Sequence, residues 1–297
     1  MSYAGRKVQS HVIGHGTAAS NSCKVGVSDM RLFYQSFGVS RGSTKGHYAT
    51  VLRGLVDGAK SAGTTVDVFG LSPHRAIADQ YRYLELLDTV ELTENGLKAE
   101  KEGYDAFLIG NIFEPGLHEL RELLNIPVLG LRESALHVAC MMGASFSLIN
   151  VNPKFVPRIV EGVHLQGLSS RMVSVERMMV ERPGVFDIAF QDEAAMSEIV
   201  EQFHQSAALA LAKGAEVLIP AGGSLMAALA ISEIHQVDNA PVLNGITALV
   251  KSAELAVGIR HQTGIFTSKR MKYAPPAGRL LSDVRQAYGA EAYPGAK

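Results

Sequence analysis

Cysteine is scarce in this 297-residue chain: Cys23 and Cys140 are its whole supply. Two thiols cannot build a disulfide framework, so the fold has to rest on a packed core. Charge imbalance is also missing. Lys and Arg number 28 against 29 for Asp and Glu, a net charge of −1. The basic residues are dispersed, with no stripe and no zinc-finger spacing, which argues against a nucleic-acid partner. No uninterrupted apolar run approaches the roughly 18 residues of a membrane span. No N-terminal stretch joins basic residues to a short apolar core, so the cytoplasm is the expected location. Metal-ligand spacing is absent as well: His11/His15, His235, Asp57 and Asp67 form no ligand set. Gly14-His-Gly16 lacks the rest of a dinucleotide fingerprint. Neither a metal nor a cofactor is expected.

What is present is an ordinary globular balance, 47% hydrophobic and 19% charged. The length suits one large domain or two of common size. Residues 1–29 are rich in Gly, Ser and His and read as an extension. Apolar runs and helix-spaced segments then alternate. Met30 to Phe37 reads as a strand, Tyr48–Ala62 as a helix, Thr65–Phe69 as a strand and Tyr81–Glu102 as a helix. Ala106–Gly110 is a strand without alternation, hence buried on both faces. Gly116–Leu124 is a helix, Val128–Leu131 a strand and Ser134–Met142 a helix. Phe146–Val151 opens a second series: a helix near Phe155–Leu165, a strand near Met172–Val175, a helix Asp192–Lys213 and a strand Val217–Ile219. Leu225–Ile234 is a further helix, Val242 and Leu243 a strand, and Ile246–Ile259 the closing helix. This pattern predicts an α/β protein with parallel sheets. The tail after Gly264, with Pro275-Pro276 and several Gly, is expected to be irregular and to end in a disordered stub.

Two segments repeat a pattern. Gly103 to Asn111 and Gly214 to Gly222 each begin Gly-X-acid and continue as a short apolar run. Each is followed by Pro-Val-Leu, at Pro127 and Pro241. Ligands of parallel α/β sheets gather at the carboxyl ends of strands. The pseudo-repeat therefore locates a site between two halves, around Asn111–Gly116 and Gly222–Ser224.

Several segments carry a family resemblance. They are Glu114-Pro-Gly-Leu-His118, Arg121-Glu122, Pro127-Val-Leu-Gly-Leu-Arg-Glu133, Gly214-Ala-Glu-Val-Leu218, Pro241-Val-Leu-Asn-Gly245, Thr267-Ser-Lys-Arg270 and Tyr273-Ala-Pro-Pro276. Through them the chain resembles the hydantoin racemase family of the aspartate/glutamate racemase superfamily, over roughly residues 30–276. The resemblance implies two Rossmann-like parallel-sheet domains related by a pseudo-twofold with a cleft between them. The first would span 30–143 plus 244–276, the inserted second 144–243, and 277–297 would form a tail. It also implies a homo-oligomer. In the family, two cysteines facing each other across the substrate exchange protons with the carbon beside a carbonyl. Here those positions are Asn111 and Gly222, which cannot perform two-thiol chemistry.

Asn111 can hydrogen-bond a carbonyl or carboxylate, or cap its strand end. Ile112 and Phe113 follow it in the substrate-binding set. Glu114 can act as a general acid or base, or place charge at the first turn of the next helix. His118 can pair with Glu114 or serve the helix. Gly222, Gly223 and Ser224 sit at a strand-to-helix junction whose exposed N–H groups favour a carboxylate or oxyanion. Gln35, Ser36 and Phe37 match a polar substrate loop of the family, and Glu133 matches a family glutamate. His47 follows the first strand's loop and can reach the cleft. Cys140 belongs to an apolar helix stripe, and Cys23 lies in the extension. Three functions stay open: a racemase or isomerase acting beside a carbonyl on a small ureide, cyclic amide or carboxylate; a cysteine-independent hydrolase or lyase; and a non-catalytic binding protein.

Overall fold

The computed structural model describes residues 29–40, 46–72, 81–180 and 185–296. Nearly all of the expected N-terminal extension, Cys23 included, lies outside the described residues. The first sheet contains β1 (Met30–Ser40), β2 (Thr64–Leu71), β3 (Ala106–Gly110) and β4 (Val128–Gly130). Its order is β2-β1-β3-β4, all parallel. Parallel neighbours require crossovers. Helices α1 (His47–Ala59), α2 (Arg82–Lys101) and α3 (Leu117–Leu123) supply them. Helix α4 (Leu131–Met142) leads into the second half.

The second sheet holds β5 (Phe146–Asn150), β6 (Met172–Arg177) and β7 (Val217–Pro220), again parallel, in the order β6-β5-β7. Around it lie α5 (Phe155–Leu165), a short α6 (Val185–Ala189), α7 (Glu193–Ala212) and α8 (Gly223–Ile231). A two-residue hairpin follows, β8 (Gln236–Val237) with β9 (Ala240–Pro241). The chain then returns through α9 (Gly245–Thr263) and ends with α10 (Gly278–Tyr288). The expected α/β architecture with two parallel sheets is the one observed.

Strand β1 divides its side chains between two cores, as a period of two requires. Leu32 and Tyr34 face the helices α1 and α9, while Phe33 and Phe37 face α2 and α3. β3 is buried throughout. Helix α9 is the element that makes the first half whole. Its Ile246, Leu249, Val250, Ala253 and Val257 join Leu32, Leu52 and Leu108 in one cluster. Each such aliphatic side chain contributes about 1.5–3 kcal/mol on burial. The Asn244 carboxamide caps the helix, accepting from the Ile246 amide at 3.0 Å. The halves also meet through Arg158 of α5 and Glu85 of α2, paired at 2.5 Å.

Three local expectations need correction. Val242 contributes a single parallel bridge to Leu218 instead of a strand with Leu243. The chain before it forms the β8–β9 hairpin, whose turn residues Asp238 and Asn239 both have positive φ, 47° and 65°. That is the backbone a tight two-residue turn needs, and Asp and Asn tolerate it best after Gly. The short α6 is an unexpected helix. The tail is irregular only in part: after a mostly irregular stretch to Ala277, α10 forms because Leu281 buries itself and Arg285 binds the carbonyls of Ala292, Tyr293 and Ala296. Tyr293 then donates to Glu122 Oε1 at 2.5 Å, tying the tail to α3.

Arg285→Ala removes all three carbonyl bonds. It is expected to loosen residues 289–296, so that limited proteolysis trims the tail at least several-fold faster, with the melting transition of the remainder little changed.

Candidate active site

Each sheet has a switch point where chain paths part. From β1 the chain runs to α1 on one face, whereas β3 runs to α3 on the other. The carboxyl ends of β1 and β3 therefore open a crevice. Asn111 lies there, buried, with its Oδ1 accepting the Phe113 amide at 2.8 Å. The Glu114 amide donates to the Asn111 carbonyl at 3.1 Å, closing the turn. The Asn111 Nδ2 has no partner among the described residues.

Glu114 continues this turn with a φ of 53° and a nearly inaccessible side chain. Its Oε1 accepts the Glu133 amide at 2.6 Å, and its Oε2 pairs with the Arg132 guanidinium at 2.8 Å. The carboxylate thus satisfies the third amide of α4 from outside the helix. Gly130 makes this approach possible, because a Cβ there would collide with the Glu114 carboxyl. Arg132 also donates to the Ile112 carbonyl at 3.2 Å and packs against Gly162 of α5. Burial raises the Glu114 pKa from 4.5 to about 7, against the lowering effects of Arg132 and the Glu133 amide. Glu133 pairs with Arg121 at 2.9 Å, and Arg121 donates to the Val128 carbonyl.

The remaining sequence candidates separate. His118 meets the Tyr273 hydroxyl at 2.9 Å, not Glu114. Burial, then Lys272 and Arg121, hold its pKa below the ordinary 6.5. Gln35 and Phe37 point to the α2 side of the sheet. The Gln35 Nε2 donates to the Ser36 carbonyl at 3.1 Å, and its Oε1 accepts from Asn95 at 2.8 Å. Phe37 packs among Phe33, Leu92 and Leu117. Strand alternation turns both away from Ser36, which is buried with its Oγ unpartnered among the described residues. His47 is exposed at the first turn of α1. Ile112 and Phe113 bury themselves with Phe146, Leu148, Val217 and Ile219, gluing the crevice loop to the second half.

In the second half, Gly222 precedes α8 with φ 155° and no atom within 4 Å of a notional Cβ. L side chains rarely adopt that backbone, so any side chain there would be strained. Ser224 is half-buried in the first turn. Two tyrosines that were not among the sequence candidates lie beside these ends. Tyr48 of α1 places its hydroxyl against Gly223, where a Cβ would clash. Tyr34 reaches over Gly110 in the same way, and its hydroxyl is buried without a partner among the described residues. Burial, with Tyr48 adding to it, holds the Tyr34 pKa well above 10. Tyr34, over Gly110, and Tyr48, against Gly223, belong to one packed cluster that links the end of β3 with the start of α8. Glycines at both ends, with a tyrosine inside an apolar strand, were the available signals. A separate groove of about 290 Å³ lies between α1 and the edge strand β2, lined by Arg53, Asp57 and Asp67 among others, away from these ends. Among the described residues no group of three His, Cys, Asp or Glu can hold a metal. No described helix is long and apolar enough to cross a membrane.

Residues 38–253 match the Asp/Glu/Hydantoin racemase family. The chain belongs to this family. A hydantoin racemase of Pseudomonas sp. (strain NS671) is 31% identical over 239 residues, covering 80% of this chain and 91% of that protein. The allantoin racemase of Pseudomonas fluorescens superposes with a TM-score of 0.65 at 26% identity, covering 84% of this chain and 98% of the other. The allantoin racemase of Klebsiella pneumoniae gives a TM-score of 0.70 at 21% identity, covering 84% and 94%. The two-sheet architecture is the family fold, and the chain is a member of an enzyme family.

The raised Glu114 pKa has a definite sign. Folding favours the neutral carboxyl, so the group's contribution to stability is complete below about pH 4.5 and is lost as pH rises through about 7. Urea midpoints at pH 5 and pH 8 should therefore differ less in Glu114→Gln than in the native chain, by an amount on the order of 1–3 kcal/mol. Equal pH dependence in both proteins would contradict this assignment.

Proposed function

We propose that this protein is a racemase- or isomerase-like enzyme that removes a proton from the carbon beside a carbonyl. Its substrate is a small ureide, cyclic amide or carboxylate, and its mechanism does without two thiols. The observation that carries the reading is the meeting of two strand ends whose polar groups are an amide, hydroxyls and helix N–H groups. The names of the relatives, hydantoin and allantoin racemases, support cyclic or open ureides as the substrate class.

Asn111 Nδ2 and the first amides of α8 suit a developing enolate, which gathers negative charge on the carbonyl oxygen. Ser224 adds a hydroxyl in the same turn. Glu114 is the proton carrier in this reading. Its carboxyl is tuned to about 7, the range in which a general base works best at neutral pH, and it follows Asn111 closely. Because Arg132 holds it, proton uptake by Glu114 and loosening of Arg132 go together. The absence of side-chain acids and bases at both Asn111 and Gly222 also favours a second reading. A hydrolase or lyase needs chemistry on one face only.

Proton NMR in D₂O with 5-substituted hydantoins and allantoin tests this. The α-proton signal is expected to disappear with no new species. Asn111→Ala should slow that exchange roughly 100-fold, and Glu114→Gln at least about tenfold. New resonances without prior exchange would favour the hydrolase or lyase. Saturable binding without any turnover would make the protein a binding module.

A further inference from the structure

The proton-transfer reading leaves one feature of the site unused. Strand β1 sends Tyr34 and Ser36 to the same face, and both hydroxyls are buried without a partner among the described residues. Buried hydroxyls are rarely left so, because an unmade bond forfeits the hydration the group gave up on burial. Both lie beside Gly110. Ser36 is its register partner across β1 and β3, and the Tyr34 ring fills the space its Cβ would take. Gly110 immediately precedes Asn111, whose Nδ2 is also unengaged among the described residues. Three donors thus surround one strand end.

We propose that Tyr34, with Ser36 beside it, is a substrate-contacting hydrogen-bond donor for the carbonyl oxygen on which enolate charge develops. This rests on the proton-transfer reading of the site. A phenol suits the task. Neutral at working pH, it can donate but not act as a competing anion, and its single O–H is aimed by a ring packed on both sides. No proton need leave Tyr34: the O–H bond stays intact while the hydrogen bond strengthens as the oxygen becomes negative. Tyr48 stands between Tyr34 and the α8 N-terminus, against Gly223. Substrate reaches Tyr34 when the Tyr48–Gly223 contact between α1 and α8 parts, so Tyr48 forms the movable wall of the subsite.

Tyr34→Phe tests the assignment because it removes one oxygen and keeps the ring. Exchange of the α-proton of 5-methylhydantoin is measured in D₂O for the native protein, Tyr34→Phe and Ser36→Ala. Affinity for the same compound is measured by titration calorimetry. The expected result for Tyr34→Phe is a kcat lowered roughly 100-fold with KM changed by less than about threefold. Its melting temperature should be equal or higher, since a partnerless buried hydroxyl is lost. Unchanged kcat in Tyr34→Phe, with exchange intact in the native protein, would overturn the donor role and leave the proton-transfer reading standing. If the native protein binds 5-methylhydantoin without exchanging it, that reading fails. In that case an affinity loss of tenfold or more in Tyr34→Phe upholds the subsite, and equal affinity overturns it. Native protein that neither binds nor exchanges the compound overturns both.

Discussion

The buried pair of Glu114 and Arg132 holds the carboxyl end of β3 in place. The Glu114 amide closes the turn after β3, while its carboxylate supplies the missing acceptor at the start of α4 and pairs with a guanidinium lodged against α5 of the second half. Three segments far apart in sequence meet in a space from which water is excluded. Pairs of this kind add little net stability compared with an apolar replacement, yet removing one partner costs about 3–5 kcal/mol, because the other is left charged and buried. The pair therefore specifies geometry more than it strengthens the fold. Gly130 and Gly162 are its preconditions, since a side chain at either would displace a charged group.

That geometry packs the loop after β3 against the strands β5 and β7 of the second sheet. The family shares the architecture, and the proposed chemistry calls for charge stabilisation at a carbonyl beside an acidic C–H. In this chain the strand ends present Asn111 and the glycine-started α8, with Tyr34 and Tyr48 filling the space between. A thiol is a proton carrier. An amide, a phenol and a helix N-terminus are stabilisers. In the reading proposed above, such a set stabilises an enolate and leaves proton movement to Glu114, whose carboxyl burial raises to about 7.

Much of this was legible in sequence, for identifiable reasons. The unalternating Ala106–Gly110 announced a strand covered on both faces, and the recurrence of Gly-X-acid before Asn111 and Gly222 announced the two ends. The orientation of Gln35 and Phe37 was also readable, because they share a period of two with Phe33 and not with Tyr34. Other features were not. The β8–β9 hairpin depends on two positive-φ residues between two-residue strands, too short for a pattern to show. Helix α10 is held by Arg285 and Tyr293 contacts that composition hides beneath Gly and Pro. His118 finds Tyr273 and the Tyr48 hydroxyl finds Gly223 of the other half, and these non-local meetings leave no local periodicity.

The central claim is that proton transfer here needs no thiol. The most direct measurement is α-deuteron uptake from D₂O by a variant lacking both cysteines, Cys23→Ser with Cys140→Ala, compared with the native chain on the same hydantoin. The account predicts rates equal within about twofold, since Cys140 is a packing residue of α4 and neither strand end carries sulfur. Loss of exchange in the variant, matched by inactivation of the native protein with a thiol-alkylating reagent, would contradict it.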